Sequence, residues 1–197
     1  MYKESILRIR KASSDGDIQS ILEVQKTCYH PSMCESYEVF ESILGHGWSY
    51  VAVDATAAAS TEKIVGYLVA HPWHTLAYPP RLHECLTPPP IVTCLFLHDM
   101  AVRPSYCNQG LAHELFRTFC KSLTKYPIPH LPSTFMAVNG TAEKHVHATH
   151  LSCDLDIIRS YKDASATYMM YTADYIQSIA DSKLYTSVRT ANEPSRQ

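Results

Sequence analysis

The sequence predicts one α/β (α+β) domain whose mixed, mostly antiparallel sheet has about seven strands and helices on both faces. Two observations lead to this fold class. Hydrophobic periods of strand and helix type follow one another in the order β-α-α-β-β-β-α-β-α-β-β. Residues 91–102 are apolar at almost every position, as in a central strand that is covered on both faces. Three antiparallel strands before a strand–helix–strand crossover then give a mixed sheet.

The first quarter of the chain predicts a strand and two helices. Residues 5–11 form the first strand, and the aspartates within 14–17 suit the positive end of the helix that follows. His30-Pro31-Ser32 ends that helix. A second, shorter helix is predicted over residues 36–44, which carry apolar side chains at helical spacing.

A hairpin and a long loop come next. Residues 48–53 and 63–70 predict two strands joined by a turn of small residues. Six prolines between Pro72 and Pro90 argue against regular structure there. A loop of this length inside a domain is usually functional or mobile, and the alternative is a spacer that faces solvent.

The second half of the chain alternates strands and helices. After the central strand, helices are predicted over residues 111–123 and within 139–150. Further strands are predicted over residues 134–138, 155–161 and 166–172. We therefore expect a single domain over residues 1–187 and a disordered tail over 188–197.

Composition excludes several classes of protein. The 197 residues are 46% hydrophobic and 18% charged, which suits one folded domain rather than a disordered chain. A net charge of −2 without a Lys/Arg cluster argues against a nucleic-acid partner, and no apolar run approaches the roughly 20 residues that span a bilayer. Seven cysteines without a Cys-x-x-Cys motif or a signal-peptide pattern predict a cytoplasmic protein with reduced thiols.

The segment with the clearest chemical character is residues 97–113, a buried strand followed by a tight loop and a helix. Gly110 and Ala112 are small enough to let a ligand approach the backbone. The first amides of a helix have no partners within it and attract anions, so a pyrophosphate would fit there. Many strand–loop–helix junctions bind nothing. From these residues alone, a phosphate site and a junction without a ligand are both possible interpretations.

The same segment resembles the GNAT superfamily of acetyltransferases, which has an Arg/Gln-x-x-Gly-x-Gly/Ala loop after its fourth strand. Here Cys107-Asn108-Gln109-Gly110-Leu111-Ala112 occupies that loop, after a Met-Ala-Val-Arg-Pro strand end. Residues 66–73, 137–140 and 160–163 are similar to a branch related to arylalkylamine (serotonin) N-acetyltransferases. The resemblance covers about residues 7–171 and implies a GNAT-like sheet. Cys107 departs from the family pattern, which weakens one phosphate contact.

The resemblance implies acetyl-CoA as cosubstrate and assigns a role to each part of the segment. The backbone of Met100, Ala101 and Val102 would pair with the pantetheine like an added strand. Asn139 would touch the pantetheine arm. The pyrophosphate would be held at Cys107, Asn108, Gln109, Gly110, Leu111, Ala112 and His113.

The expected reaction is direct transfer of an acetyl group to a primary amine, which must lose a proton. His98 matches a histidine that relays this proton in the arylalkylamine branch, whereas the branch's second histidine is Phe96 here. The alternative is a core histidine bonded beside Asp99. The family's acidic tyrosine aligns with His145 or Val146, so His145 is the candidate acid, and the alternative is an enzyme without a dedicated acid.

Other readings of the sequence remain. His145, His147 and His150 suggest a zinc site, although we favour incidental histidines and expect no metal. Cys107 is either redox-active or a substituted loop position. A peptide acetyltransferase, a non-catalytic acetyl-CoA-binding module and a histidine-rich metal-binding protein are alternatives to a small-molecule enzyme. Residues 79–82 and Cys34-Glu35 are expected to flank the acceptor pocket, and nothing indicates the oligomeric state.

Overall fold

Eight strands and three helices of eight or more residues are found among the residues that the structure describes. The structure is a computed structural model and describes residues 7–13, 16–55, 62–74, 83–125, 133–138, 162–163, 166–171, 177, 179–182 and 188–190. The helices are α1 (Ile18–Cys28), α2 (Tyr37–Leu44) and α3 (Leu111–Lys125). The strands are β1 (Leu7–Lys11), β2 (Tyr50–Asp54), β3 (Lys63–Trp73), β4 (Cys94–Val102), β5 (Ser133–Val138), β6 (Lys162–Asp163), β7 (Ala166–Tyr171) and β8 (Val188–Thr190).

The strands form one mixed sheet in the order β6-β7-β5-β4-β3-β2-β1-β8. Five neighbouring pairs are antiparallel, and the β4–β5 and β1–β8 pairs are parallel. The parallel β4–β5 pair requires the crossover through α3, as the sequence predicts. The predicted fold class, a mixed and mostly antiparallel sheet, is confirmed.

The sheet is covered on both faces because successive side chains of a strand point to opposite sides. On one face, Ile21 of α1 and Phe40 of α2 pack in a core that includes Val51 and Val69 of the sheet. On the other face, Leu115 of α3 lies in a second core with strand residues from β1 to β4. Helices on both faces are therefore confirmed.

Two predicted boundaries are wrong, and both concern the prolines beside the central strands. β3 continues to Trp73 and includes Pro72, which was expected in the irregular loop. Proline is tolerated there because β2 pairs with β3 only as far as Leu68, so one edge of β3 needs no donor at Pro72. β4 begins at Cys94 rather than at residue 91, because β3 ends opposite Cys94, and Ile91 is 64% exposed.

Apart from β2, which covers Tyr50–Asp54 rather than 48–53, and the unpredicted β6 and β8, the other elements agree with the predictions or fall on residues that are not described. The helices expected over 36–44 and 111–123 are confirmed as α2 and α3. The sequence pattern did not predict β8, which lies within the expected tail and pairs in parallel with β1. Residues 139–161, with a predicted helix and strand, lie outside the described residues, as do 191–197 of the tail.

Candidate active site

The central feature of the site is an opening beside β4. β4 pairs with β3 along its whole length, but it pairs with β5 only at Phe96 and Leu97. β5 stays paired with β7 as far as Val138. Among the described strands, none pairs with residues 98–102 on the β5 side. The β5 side of this stretch is therefore unpaired by any described strand, at the position where the resemblance places Met100, Ala101 and Val102 against the pantetheine.

The C-terminal end of α1 lies beside this open stretch. The Tyr29 hydroxyl donates a hydrogen bond to the carbonyl oxygen of Met100 over 3.1 Å. The Cys28 thiol donates to the carbonyl oxygen of Val102 over 3.3 Å. Burial raises the pKa of this thiol, so Cys28 is a hydrogen-bond donor here rather than a thiolate.

A β-bulge directs His98 into the site. Val69 of β3 lies opposite Asp99, and the next residue, Ala70, lies opposite Leu97, which leaves His98 as the extra residue. The normal alternation is interrupted, and His98 and Asp99 both contact groups from α1 and from the segment after it. The candidate base is therefore held where β4 and β5 part.

His98 forms a buried pair with Glu35, which lies between α1 and α2. The two side chains are only 6% and 3% exposed, and Nε2 of His98 is 3.2 Å from Oε1 of Glu35. The other carboxylate oxygen accepts the backbone N–H of His83 at 2.8 Å. Burial opposes the ionisation of Glu35, but His98 and His83 outweigh it, and the pKa of this carboxyl lies below its usual range.

A second carboxylate, Asp99, ties β4 to α1. It accepts hydrogen bonds from the hydroxyls of Tyr29, at 2.8 Å, and of Tyr67, and from Nε2 of Gln25 at 3.2 Å. Burial and the neighbouring Asp99 raise the pKa of both tyrosines, so these hydroxyls stay protonated. Gln25 also accepts the backbone N–H of Glu35 at 2.8 Å, so it links the two carboxylates.

A second histidine stands beside His98, although the sequence did not indicate it. His71 of β3 is fully buried, and its ring centroid is 5.7 Å from that of His98 and 5.4 Å from that of Phe96. Burial lowers the pKa of His71 to about 3, which keeps it neutral. Among the described residues, Nε2 of His71 and Nδ1 of His98 have no hydrogen-bond partner.

The loop after β4 contains two residues with a left-handed backbone conformation. Asn108 and Gly110 have φ values of 62° and 75°, in the left-handed region that glycine adopts most readily. The carbonyl oxygen of Gly110 accepts the N–H of Glu114 at 3.0 Å, so α3 starts immediately after the loop. The amides of Leu111 and Ala112 occupy the first turn, where N–H groups have no acceptor within the helix.

The side chains of the loop are mostly engaged locally. Cys107 is exposed, and its thiol donates to the carbonyl oxygens of Val102 and Arg103 at 3.7 and 3.6 Å. Gln109 donates to the carbonyl of Ser105. These contacts leave the backbone as the part of the loop that can hold a phosphate.

The first turn of α3 carries one acid, which is neutralised. Glu114 is fully buried and forms two hydrogen bonds with Arg117, at 2.5 and 2.8 Å. Nε2 of the neighbouring His113 is 3.4 Å from Oγ of Ser182. The helix start therefore carries no unpaired acid that would repel a phosphate, as far as the described side chains extend.

Several predicted residues are not among those that the structure describes. His145, Asn139 and the histidines at 147 and 150 all lie outside them. Within the described ranges, no group of three or more His, Cys, Asp or Glu side chains is arranged to hold a metal ion. The six cysteines there are unpaired with one another. None of the helices found is long and apolar enough to cross a bilayer.

The sequence missed most of the groups that surround His98. Glu35 was expected only to flank the pocket. The alternative to a catalytic His98 was a core histidine bonded beside Asp99, whereas its Nε2 lies 3.2 Å from Oε1 of Glu35. Gln25 and Tyr29 carried one signal, because they are polar residues on the face of α1 that packs on the sheet. The sequence contained no such signal for His71, because it directly follows a run of apolar residues in the buried strand β3.

Comparison with known proteins supplies three likenesses of fold and one family match. The model of the family described as the acetyltransferase (GNAT) family matches residues 18–147. Arabidopsis thaliana NAA60 in complex with acetyl-CoA superposes with a TM-score of 0.59 at 12% identity, over 84% of this chain and 98% of that chain. The NatC complex bound to Gag peptide and CoA gives 0.58 at 12% identity, over 84% and 96%. The GphF GNAT-like decarboxylase in complex with isobutyryl-CoA gives 0.57 at 15% identity, over 84% and 99%. No curated protein matches the chain.

Proposed function

Because the chain belongs to the acetyltransferase (GNAT) family, we propose that it transfers the acetyl group of acetyl-CoA directly to the primary amine of a small molecule. The observation that carries this proposal is the parting of β4 and β5 after Leu97, next to the loop that starts α3. An extended acyl chain needs such a gap, and its phosphates need unpaired amides at the gap's end.

Acetyl-CoA would lie along β4. The pantetheine would pair with the backbone of Met100, Ala101 and Val102, and the pyrophosphate would meet the amides of residues 107–113. The left-handed backbone of Asn108 and Gly110 supports this role, because residues in this conformation are common in backbone turns whose amides bind anions. The CoA ligands named for three structures of similar fold also support it. Asn139 keeps its proposed contact with the pantetheine arm.

The proposed base is His98. An amine attacks a thioester carbon through its lone pair, and it must lose a proton as the new C–N bond forms. His98 lies at the bulge where β4 and β5 separate, so its ring is beside the place where the thioester would stop. The amide of a neighbouring residue would stabilise the oxyanion, and His145 remains the proposed acid for the leaving thiolate.

The acceptor is proposed as an arylalkylamine-like small molecule, on the strength of the sequence resemblance. The aromatic ring of Phe96 and the imidazole of His71 lie beside His98, and both side chains are fully buried, so the surroundings of His98 are largely apolar. A peptide N-terminus is the second candidate, because two structures of similar fold are of ribosomal-protein-S18-alanine N-acetyltransferase from Escherichia coli and of NatC with a peptide.

The test is turnover with a panel of amines. The full chain is incubated with acetyl-CoA and either small aryl and alkyl amines or short peptides. Free CoA and the acetylated product are separated by chromatography, because the free cysteines of the chain would react with thiol reagents. Product from small amines is expected. Product only from peptides would overturn the acceptor class, and binding of acetyl-CoA without any product would overturn the enzyme.

The variant His98→Gln tests the base in the same assay. It should lower kcat/KM for the amine by roughly 10²- to 10⁴-fold, the usual contribution of a general base. The affinity for acetyl-CoA should stay the same, because backbone groups hold the cofactor. Near-complete activity in His98→Gln would exclude His98 as the base.

A further inference from the structure

We propose that Glu35 is a positioning residue that keeps the proton of neutral His98 on Nε2, so that Nδ1 is the atom that accepts the proton of the amine. This inference rests on the proposed function, because it assigns the protonation chemistry of the same site. It concerns the segment between α1 and α2, for which no catalytic role was predicted from the sequence.

The pairing of Glu35 with His98 determines which ring nitrogen is free. An ionised carboxylate only accepts hydrogen bonds, so the imidazole nitrogen 3.2 Å from Oε1 must be the one that carries hydrogen. In a neutral ring the other nitrogen, Nδ1, then has the lone pair. Nδ1 is buried and has no partner among the described residues. A buried acceptor without a partner is costly and rare, except where a substrate or a water completes it.

Glu35 is held so that it cannot turn away from His98. Its second oxygen accepts the backbone N–H of His83 at 2.8 Å, and Nδ1 of the same histidine lies 3.2 Å from that oxygen. His83 has φ 68°, an uncommon backbone conformation for a residue with a side chain. On the other side, Gln25 accepts the N–H of Glu35 itself. Contacts from α1 and from the segment before β4 thus fix the carboxylate.

Glu35 is poorly suited to be the base itself. Both of its oxygens are engaged by donors, and these contacts favour the ionised form and reduce its tendency to take up a proton. Its negative charge, almost removed from solvent, would instead stabilise the imidazolium that His98 becomes. Among the described residues, the titratable side chain that lies against His98 besides Glu35 is His71 from β3, and the adjacent Asp99 of β4 is occupied by three donors.

The proton movements balance with His98 as the base and His145 as the proposed acid. The amine nitrogen forms a bond to the thioester carbon, and its proton passes to Nδ1 of His98. The C–S bond then breaks, and its electron pair leaves on the sulfur of CoA. The imidazolium releases the proton from Nδ1 to water, and the thiolate takes its proton from the proposed acid His145, while the proton on Nε2 stays between His98 and Glu35.

The experiment compares Glu35→Gln with Glu35→Asp and with the control Glu41→Gln, which removes an equal charge from an exposed position on α2. The pH dependence of kcat/KM is measured with an arylamine that is neutral throughout the range. Since the carboxylate stabilises the imidazolium, its loss in Glu35→Gln should move the acid limb to lower pH by roughly one to three units. The same variant should lower kcat/KM at its optimum by roughly 10- to 10³-fold. Glu35→Asp, which keeps the charge, should recover part of both effects.

A second readout does not depend on activity. Nitrogen-15 spectra of the histidine rings of the folded chain report which nitrogen of His98 carries the proton at high pH. The expected result is a proton on Nε2 in the unaltered chain and in Glu41→Gln. A proton on Nδ1 would overturn the proposal.

The two readouts separate the possible failures. A fall in activity without a shift of the acid limb would make Glu35 a merely structural residue, and it would also overturn the proposal. A different result would separate the two proposals: no amine is acetylated, the proton of His98 is on Nε2, and Glu35→Ala shifts part of it to Nδ1. In that case the proposed function fails, but the assigned tautomer of His98 is correct.

Discussion

Asp99 accepts hydrogen bonds from three donors and joins β4 to the C-terminal end of α1. Its replacement tests how much this junction of β4 and α1 contributes to the stability of the fold. The hydroxyls of Tyr29 and Tyr67 and the amide of Gln25 all donate to it. Asp99→Ala removes every acceptor at once. Asp99→Asn keeps one oxygen and replaces the other by a donor.

The two substitutions should differ in size for a structural reason. In Asp99→Ala, Tyr67 and Gln25 lose the acceptor, whereas Tyr29 keeps the carbonyl of Met100 at 3.1 Å. Two buried donors without partners cost about 1–3 kcal/mol each, so the free energy of unfolding should fall by about 4 kcal/mol. In Asp99→Asn the amide oxygen can serve Tyr67 and Gln25, and the loss of charge weakens each bond by about 1 kcal/mol, which gives about 2 kcal/mol.

Urea titration of both variants, alone and combined with Tyr67→Phe, measures these values. Tyr67→Phe should destabilise the unaltered chain by about 1 kcal/mol. In the Asp99→Ala background it should instead restore about 1–3 kcal/mol, because it removes a buried hydroxyl that has already lost its acceptor. An equal effect of Tyr67→Phe in both backgrounds, or a loss below 1 kcal/mol in Asp99→Ala, would refute this account of the junction.

Three further substitutions test separate features. Burial lowers the pKa of His71 to about 3, so below about pH 6.5 the unfolded chain takes up a proton on this residue before the folded chain does. This difference should lower the free energy of unfolding by about 2 kcal/mol between pH 7 and pH 5. In His71→Phe the loss of free energy of unfolding over the same range should be smaller by about 2 kcal/mol, and an equal loss would mean that the folded state also binds the proton. Gly110→Ala places a side chain at φ 75° and should lower the free energy of unfolding by about 1 kcal/mol, whereas no change by urea titration would show that the loop relaxes freely. In Gly66→Ala the new Cβ would lie 3.1 Å from the oxygen of Ala101 and from Cγ2 of Val102. Thermal unfolding should therefore show a loss of about 1–3 kcal/mol in the free energy of unfolding, and calorimetry should show weaker binding of acetyl-CoA. An unchanged affinity would mean that this part of β4 does not contact the cofactor.

The sequence predicted the elements whose signals are local. The hydrophobic period of α3 and the apolar run of β4 suffice to order the crossover, and the fold class follows from that order. The predicted start of β4 was wrong, whereas its end at Val102 was right, because a strand begins where its partner's pairing begins, and the end of β3 opposite Cys94 is a property of the sheet. Asp17 was assigned to the helix dipole, but its side chain bonds Arg10 of β1 at 2.6 and 2.9 Å, a contact made only after the strand and helix pack.

The site was predictable only along β4 and the loop that follows it. His98 and the loop were identified by their likeness to a family motif, which is continuous in the chain. Glu35 lies 63 residues before His98, and their contact depends on a β-bulge that the pattern of residues does not predict. Neither hydrophobic period nor spacing carries information on such a pair, because it is created by the packing of α1 against the sheet.

The central claim is that acetyl-CoA binds in the gap beside β4, and amide hydrogen exchange tests it most directly. Exchange is followed with and without saturating acetyl-CoA. Because the pantetheine should pair with β4 as an added strand, the amides within Met100–Val102 should become protected, together with those of the loop around Gly110. Binding that protects other segments but leaves Met100–Val102 unchanged would contradict the account, and so would the absence of any protection at millimolar acetyl-CoA.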